Sequence, residues 1–165
     1  MVSKNISLVY GGASIGVMGA IADAVLEEGG EVIGVIPQRL FDKEVVHVGL
    51  TDLRVVDSMH ERKAQMAEIS DGFIALPGGL GTMEEFFEVA TWAQLGMHQK
   101  PCGLLNACQY FDKLIDFLDH AVSAQFVKEV HRSIVLVEEH PEVLLEKFES
   151  HKPPKVAKWI SERNT

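Results

Sequence analysis

The sequence has few of the features that mark secreted, metal-binding or membrane-spanning proteins. Its 165 residues include two cysteines, Cys102 and Cys108, whose spacing fits neither a disulfide framework nor a paired metal ligand, so both are expected to be reduced packing residues. No apolar run approaches the roughly 20 residues that a membrane-spanning helix needs. The polar residues 1–5 lack the apolar core of a secretion signal. The sequence therefore predicts a cytoplasmic protein that does not bind membranes.

Basic charge and recognisable metal or nucleophile motifs are also scarce. The formal net charge is −9, a field that repels nucleic acid polymers and anionic membranes. The seven histidines are scattered without a His-Glu-x-x-His spacing, so no metal site is expected. A Gly-x-Ser-x-Gly elbow is absent, which disfavours a serine hydrolase. Any phosphate that this chain binds must be held by local groups.

Short apolar runs alternate with longer amphipathic segments, the pattern of βα units around a mostly parallel sheet. The length suits one domain, here residues 1–150, followed by a charged tail of residues 151–165. The tail carries Trp159 and Ile160, which favour docking of this segment but leave a mobile extension open. The predicted class is α/β and Rossmann-like, with helices on both faces of the sheet. The predicted strands are Ile6 to Tyr10, Val32 to Ile36, Leu53 to Val56, Phe73 to Leu76, Cys102 to Leu105 and Ile134 to Val137.

Five longer segments between and after these strands are predicted to be helical. Ligands of parallel sheets bind where the strands end and the helices begin, so functional groups are expected directly after each strand. The predicted helices are Gly16 to Glu28, Met59 to Ile69, Thr82 to Leu95, Tyr110 to Ala124 and Glu142 to Glu149.

A first glycine-rich turn follows the first strand at Gly11 and Gly12. Such a turn can bring backbone N–H groups close to an anion, although the same glycines can serve only tight helix-to-strand packing. A dinucleotide site would require an acidic residue at the end of the next strand, where the chain reads Pro37-Gln38-Arg39. NAD is therefore not expected, and no other cofactor is predicted.

A second and richer turn follows the fourth strand, with the sequence Pro-Gly-Gly-Leu-Gly-Thr-Met-Glu-Glu over residues 77–85. Its backbone donors, the Thr82 hydroxyl and the positive end of the following helix together predict a phosphate cradle. The turn is not a P-loop, because no Gly-Lys-Ser/Thr sequence follows. Thr82 and Glu85 also have the spacing of a capping box, and Glu85 can serve both as a cap and in a site.

A basic pair lies after the third strand. Ser58 and Glu61 have the spacing of a capping box and place Arg62 and Lys63 in the second turn of the next helix. Two cations near the positive end of a helix dipole are unfavourable unless an anion lies nearby. A solvated basic pair is the alternative interpretation.

The motif Pro-Gly-Gly-x-Gly-Thr-x-x-Glu at residues 77–85, combined with Met-His-x-Arg-Lys at residues 59–63, resembles the LONELY GUY family of cytokinin-activating phosphoribohydrolases. The resemblance extends from about Ile6 to Val137 and includes Thr-Trp-x-Gln-Leu-Gly at residues 91–96. It implies a Rossmann-type fold and hydrolysis of N6-modified adenosine 5′-monophosphates, often also AMP, to the free base and ribose 5-phosphate. Members are often labelled lysine decarboxylases, but that chemistry needs a Schiff-base lysine and Lys63 lies in a phosphate-type setting.

The resemblance also implies roles for individual residues. Arg62 and Glu85 are implied to be the catalytic pair. The substrate-binding residues implied by the resemblance or expected from the glycine turns are Gly11, Gly12, Glu44, Met59, Arg62, Lys63, Gly78, Gly79, Leu80, Gly81, Thr82, Met83, Glu84, Glu85 and Thr91.

Two further expectations concern the chain as a whole. Family members usually begin with a further strand, a glycine- and serine-containing turn and a helix, and this chain is expected to lack them. We expect a homodimer, as in the family, because the apolar helix with Phe86, Phe87, Trp92 and Leu95 exceeds what one core layer requires.

The alternative to an enzyme is a carrier or sensor of a phosphorylated ligand, similar to molybdenum-cofactor carrier proteins. Such a protein would need the glycines of the cradle but would have no use for Glu85 beside Arg62.

Overall fold

The computed structural model describes residues 1–41 and 46–154. The chain divides into two compact units, Met1–Ser70 and Asp71–Thr165. Glu44 and the tail residues Trp159 and Ile160 lie outside the described residues. Each unit consists of a three-stranded parallel sheet with helices packed against it, which confirms the predicted α/β, Rossmann-like class.

The first unit is built on a sheet of strand order β1-β2-β3, in which both neighbouring pairs are parallel. Strand β2 is the most buried, because nearly all of its residues are apolar and it has a neighbour on each side. The elements of this unit are a 3-10 helix at Val2–Lys4, β1 at Leu8–Tyr10, α1 at Gly16–Glu27, β2 at Val32–Pro37, α2 at Gln38–Phe41, β3 at Asp52–Val56 and α3 at Met59–Ile69.

Apolar side chains of β1, α1 and β2 form the core of the first unit. Tyr10, Ala22, Val25 and Val32 are all buried there. Burial, with a smaller contribution from the negative charge of Asp23, raises the pKa of Tyr10 to about 12. Tyr10 therefore stays protonated at neutral pH and serves this core as a large, mostly apolar side chain.

The second unit has a parallel sheet of strand order β4-β5-β6. Its core contains Phe86 and Val89 from α4, with Cys102 and Leu104 from β5. The elements are β4 at Phe73–Ala75, α4 at Leu80–Gln94, β5 at Cys102–Leu105, a 3-10 helix at Ala107–Gln109, α5 at Asp112–Ser123, α6 at Glu129–Arg132, β6 at Val135–Glu138 and α7 at Pro141–Glu149.

The two cysteines have different environments. Both are free thiols, and Cys102 is buried while Cys108 is exposed. Burial raises the pKa of the Cys102 thiol to about 12, so this residue is an inert packing group as expected. Cys108 is free as expected, but it is not a packing residue, because the turn after β5 directs its side chain to the surface.

No helix within residues 1–41 and 46–154 is long and apolar enough to cross a bilayer. Over the same ranges, no three side chains of His, Cys, Asp and Glu are grouped closely enough to hold a metal ion.

Candidate active site

In the first unit, the turn after β1 brings Gly11 and Arg62 together. Both glycines of the turn are buried, and Gly12 adopts a φ of 78°, which favours glycine. A Cβ atom on Gly11 would overlap Nη2 of Arg62. Because Gly11 has no side chain, the guanidinium of Arg62 can lie directly against the turn. Packing between helix and strand alone does not require this arrangement.

The start of α3 holds the basic pair in place. Ser58 is the N-cap, and its Oγ accepts a hydrogen bond of 3.1 Å from the Glu61 amide. Glu61 Oε2 in turn accepts a 2.9 Å hydrogen bond from the Asp57 amide. In the predicted capping box the donor would be the amide of Ser58, one residue later. The N-cap prediction is therefore confirmed, and Arg62 directly follows the fixed first turn of the helix.

The two cations are not a solvated pair. Lys63 is only 9% exposed and Arg62 is half-buried. Nη1 of Arg62 donates to Sδ of Met59 at 3.6 Å, one turn earlier in α3. Lys63 is therefore largely shielded from water, unlike the side chain of a solvated basic pair.

The segment from Val46 to Leu50 packs over the first glycine turn. The His47 amide donates to the Gly12 carbonyl at 3.0 Å, and Ala13 forms an antiparallel bridge with Val46. The imidazole Nε2 lies 2.9 Å from Asp23 Oδ1, and Nδ1 accepts from the Gly49 amide at 3.2 Å. The His47 ring thereby joins this segment to α1.

In the second unit, the glycine-rich turn after β4 opens into the N-terminus of α4. Gly79 is the N-cap in an extended conformation, and the Met83 amide makes a helical hydrogen bond to the Gly79 carbonyl at 3.2 Å. A Cβ atom on Gly79 or Gly81 would meet no described atom within 4 Å. The first turn of a 15-residue helix thus faces open space, as a phosphate cradle requires.

The predicted capping box of Thr82 and Glu85 is wrong. The helix begins at Leu80, two residues earlier than predicted, because Gly79 takes the extended conformation of the N-cap. Thr82 lies inside the first turn, where its Oγ1 occupies the space that a side chain on Gly78 would need. Glu85 is half-buried in the second turn and is not the partner of an N-cap hydroxyl.

The other predicted contact residues of α4 have different environments. Leu80 is 90% exposed, and Glu84 is also exposed, whereas Met83 packs against the core of the unit. Thr91 lies eleven residues after Leu80, about 16 Å along the helix axis. The helix therefore separates Thr91 from the cradle of the same chain.

Tyr110 is a residue near the cradle that the sequence analysis missed. Its hydroxyl donates to the Gly78 carbonyl at 2.8 Å, although the two residues are 32 positions apart. No local pattern in the sequence signals this contact. Its position in the connection that follows a strand of a parallel sheet is the one feature that would have marked it for attention.

Comparison with known proteins identifies the family. A family model described as "Possible lysine decarboxylase" matches residues 18–148. A probable cytokinin riboside 5′-monophosphate phosphoribohydrolase of Oryza sativa subsp. japonica is 48% identical over 153 residues, which cover 93% of this chain and 61% of that protein. A cytokinin riboside 5′-monophosphate phosphoribohydrolase of Arabidopsis thaliana is 49% identical over 93% of this chain and 67% of its own length.

A cytokinin riboside 5′-monophosphate phosphoribohydrolase of Rhodococcoides fascians is 53% identical over 135 residues, or 81% of this chain and 68% of that protein. The chain thus spans about two thirds of the length of these relatives. The matched residues include the basic helix start and the glycine-rich turn. The chain therefore belongs to the LONELY GUY family, which includes these phosphoribohydrolases and which the matching model describes as possible lysine decarboxylases.

Proposed function

We propose that this protein hydrolyses the N-glycosidic bond of cytokinin-type adenosine 5′-monophosphates, and of AMP, to release the free base and ribose 5-phosphate. The observation that carries the proposal is the open glycine N-terminus of α4, with Glu85 one turn into the helix. The names of relatives that are 48% to 53% identical support the same substrate class.

The phosphate of the substrate is proposed to bind the amides of the turn at residues 78–82. A dianionic monoester fits a helix N-terminus, where several N–H groups lack intrahelical partners and the helix dipole is positive. Arg62 and Lys63, which the family resemblance implies to be substrate contacts, are proposed to supply cationic charge. Local groups of this kind bind an anion even though the net charge of the chain is −9.

The proposed chemistry requires a carboxylate. Cleavage of the bond between ribose and base develops positive charge on the sugar, as in other glycoside hydrolysis. We assign to Glu85 the stabilisation of that charge and the orientation of the attacking water. Arg62 anchors the substrate and assists the departure of the base. This set of side chains accounts for the reaction without a cofactor.

Product analysis tests the proposal. Purified protein is incubated separately with AMP, with isopentenyladenosine monophosphate, and with L-lysine plus pyridoxal phosphate. We expect free base and ribose 5-phosphate in equal amounts from at least one nucleotide, and no decarboxylated product from lysine. Binding of both nucleotides without release of base would contradict the proposal and would favour a carrier.

We also propose that the protein is a homodimer. Two of the helix residues on which that expectation was based, Phe86 and Trp92, pack in the core of their own unit. Apolar side chains that are exposed instead are Met97 and Phe117, at 61% each, and Phe126 at 89%. Exposed apolar surface of this kind often marks an interaction site. Light scattering should give twice the mass of one chain, and Phe126→Ser should reduce it.

A further inference from the structure

We propose that Tyr110 is a positioning residue of the phosphate site, which holds the peptide between Gly78 and Gly79 so that the Gly79 N–H faces the phosphate of the substrate. The inference rests on the proposed function, and it assigns a role to a side chain that lies outside the glycine motif.

The peptide geometry links the two ends of this interaction. In the trans peptide between Gly78 and Gly79, the carbonyl and the N–H point in opposite directions. Tyr110 Oη donates to the Gly78 carbonyl at 2.8 Å, so the Gly79 N–H points away from Tyr110. A hydrogen bond to the carbonyl also polarises the peptide and makes its N–H a better donor. Tyr110 thus both orients and strengthens one donor of the cradle.

A second contact restricts the same peptide. The Thr82 side chain fills the space beside Gly78 in which a Cβ atom would otherwise lie. Gly78 is therefore held between the first turn of α4 and Tyr110. Since Gly79 itself faces open space among the described residues, a ligand can reach its amide from the free side.

Tyr110 is held in turn by a polar network at the end of β5. Asn106 is buried, its Oδ1 accepts from the Phe111 amide at 2.7 Å, and its Nδ2 donates to Asp112 Oδ1 at 2.8 Å. The ring of Tyr110 packs edge-on against Phe111, with 5.0 Å between centroids, and Phe111 is only 2% exposed. These contacts fix the backbone and the ring of Tyr110 while leaving its hydroxyl at the surface.

The turn that leads to Tyr110 has an unfavourable backbone conformation. Cys108 and Gln109 have φ values of 54° and 60°, in the left-handed region that non-glycine residues rarely adopt. Two such residues in succession persist only where the surrounding structure fixes both ends of the turn, as Asn106 and Phe111 do here. The fold therefore maintains a strained turn that leads directly to Tyr110, whose hydroxyl contacts the cradle.

The experiment compares Tyr110→Phe with the matched control Ser123→Ala. Both variants delete a hydroxyl that donates to a backbone carbonyl at 2.8 Å in the second unit, and the control bond lies at the end of α5. We measure kcat and KM for AMP, and the affinities for ribose 5-phosphate and for adenosine, which lacks the phosphate.

We expect Tyr110→Phe to raise KM for AMP and Kd for ribose 5-phosphate by about 3- to 10-fold, as the loss of one hydrogen bond predicts. The phosphate is bound equally in the ground state and the transition state, so kcat should stay within about 2-fold. Affinity for adenosine should not change, and Ser123→Ala should match the wild type. Unchanged affinity for ribose 5-phosphate in Tyr110→Phe, or equal losses for adenosine and AMP, would overturn the inference.

A second measurement uses the wild type alone. Titration with ribose 5-phosphate should shift the amide resonance of Gly79 in a ¹⁵N–¹H spectrum, and absence of that shift would also overturn the inference. Ribose 5-phosphate binding decides the role of Tyr110 whether or not the glycosidic bond is cleaved. Failure to hydrolyse any nucleotide would contradict only the proposed function.

Discussion

The guanidinium of Arg62 lies against the backbone of Gly11, so closely that a single methyl group on Gly11 would overlap Nη2. Arg62 begins the second turn of a helix whose N-cap is fixed by Ser58. The side chain is thus positioned from two directions, by its helix and by a turn more than 50 residues earlier in the chain. This contact explains why the turn after β1 requires a residue without a side chain.

Gly11→Ala should displace the Arg62 side chain without removing its charge. We expect kcat/KM for AMP to fall at least 10-fold, because a misplaced catalytic group loses much of its effect. Steady-state kinetics measure the change, and Arg62→Lys should show a comparable loss because an ammonium cannot replace the planar guanidinium.

The control for Arg62→Lys is Arg39→Lys, which makes the same change on an exposed side chain of α2 and should keep wild-type kinetics. Gly11→Ala with normal kinetics would mean that the contact with Arg62 is irrelevant to the reaction.

A strained residue ends helix α5 and offers a test of stability. The amides of Gln125 and Phe126 donate to the carbonyls of Val122 and Ala121, the hydrogen bonds of a Schellman motif. Gln125 has a φ of 66° at the position where glycine is usual. Gln125→Gly should raise the free energy of unfolding by up to about 1 kcal/mol, since glycine adopts this conformation without a steric penalty.

Urea denaturation measures this effect. Ser123→Gly is the comparison, because Ser123 is the last residue of α5 and glycine lowers stability in a helix. A lower midpoint for Gln125→Gly than for the wild type would show that the left-handed conformation carries no strain here.

The pH dependence of stability should depend in part on His98. Its pKa lies below the ordinary value of 6.5, mainly because of burial, while the hydrogen bond to the Val89 carbonyl opposes the shift and Lys100 adds to it. The folded state therefore binds fewer protons than the unfolded state just below pH 6.5. Stability should be full above that pH and should fall as the pH drops through the window down to the folded pKa. Burial lowers the pKa of His151 in the same direction.

Denaturation at about pH 7.5 and about pH 5.5 tests this assignment. His98→Gln should reduce the difference in unfolding free energy between the two pH values, whereas His120→Gln, on an exposed residue of α5, should leave it as in the wild type. The same difference in His98→Gln and the wild type would rule out His98 as a contributor.

Much of this fold follows from apolar patterning in the sequence. The buried runs predicted β2 and β5 to within one residue, because strands in a parallel sheet are apolar on both faces. Helix α3 was predicted at its observed limits, Met59–Ile69, since Ser58 is a strong N-cap. Short helices such as α2 and α6, of four residues each, lack a periodicity long enough to detect.

The site was less predictable than the fold, for two physical reasons. Glycine runs specify freedom and not one conformation, so the start of α4 at Leu80 could not be distinguished from a start at Thr82. Contacts between distant residues, such as that of Tyr110 with Gly78, depend on tertiary packing that no local pattern encodes. The motifs therefore identify the candidate site, and the structure adds contacts, such as that of Tyr110, that the sequence does not show.

We assign Glu85 to catalysis and expect that it is not needed to bind the phosphorylated ligand. The most direct measurement compares wild type, Glu85→Gln and Glu142→Gln, the last being the same change in the first turn of α7. Release of free base from isopentenyladenosine monophosphate is measured beside the affinity for ribose 5-phosphate. We predict that Glu85→Gln lowers kcat about 100- to 1000-fold with ribose 5-phosphate affinity retained, and that Glu142→Gln behaves as the wild type. Wild-type turnover in Glu85→Gln would rule out a catalytic role for this carboxylate.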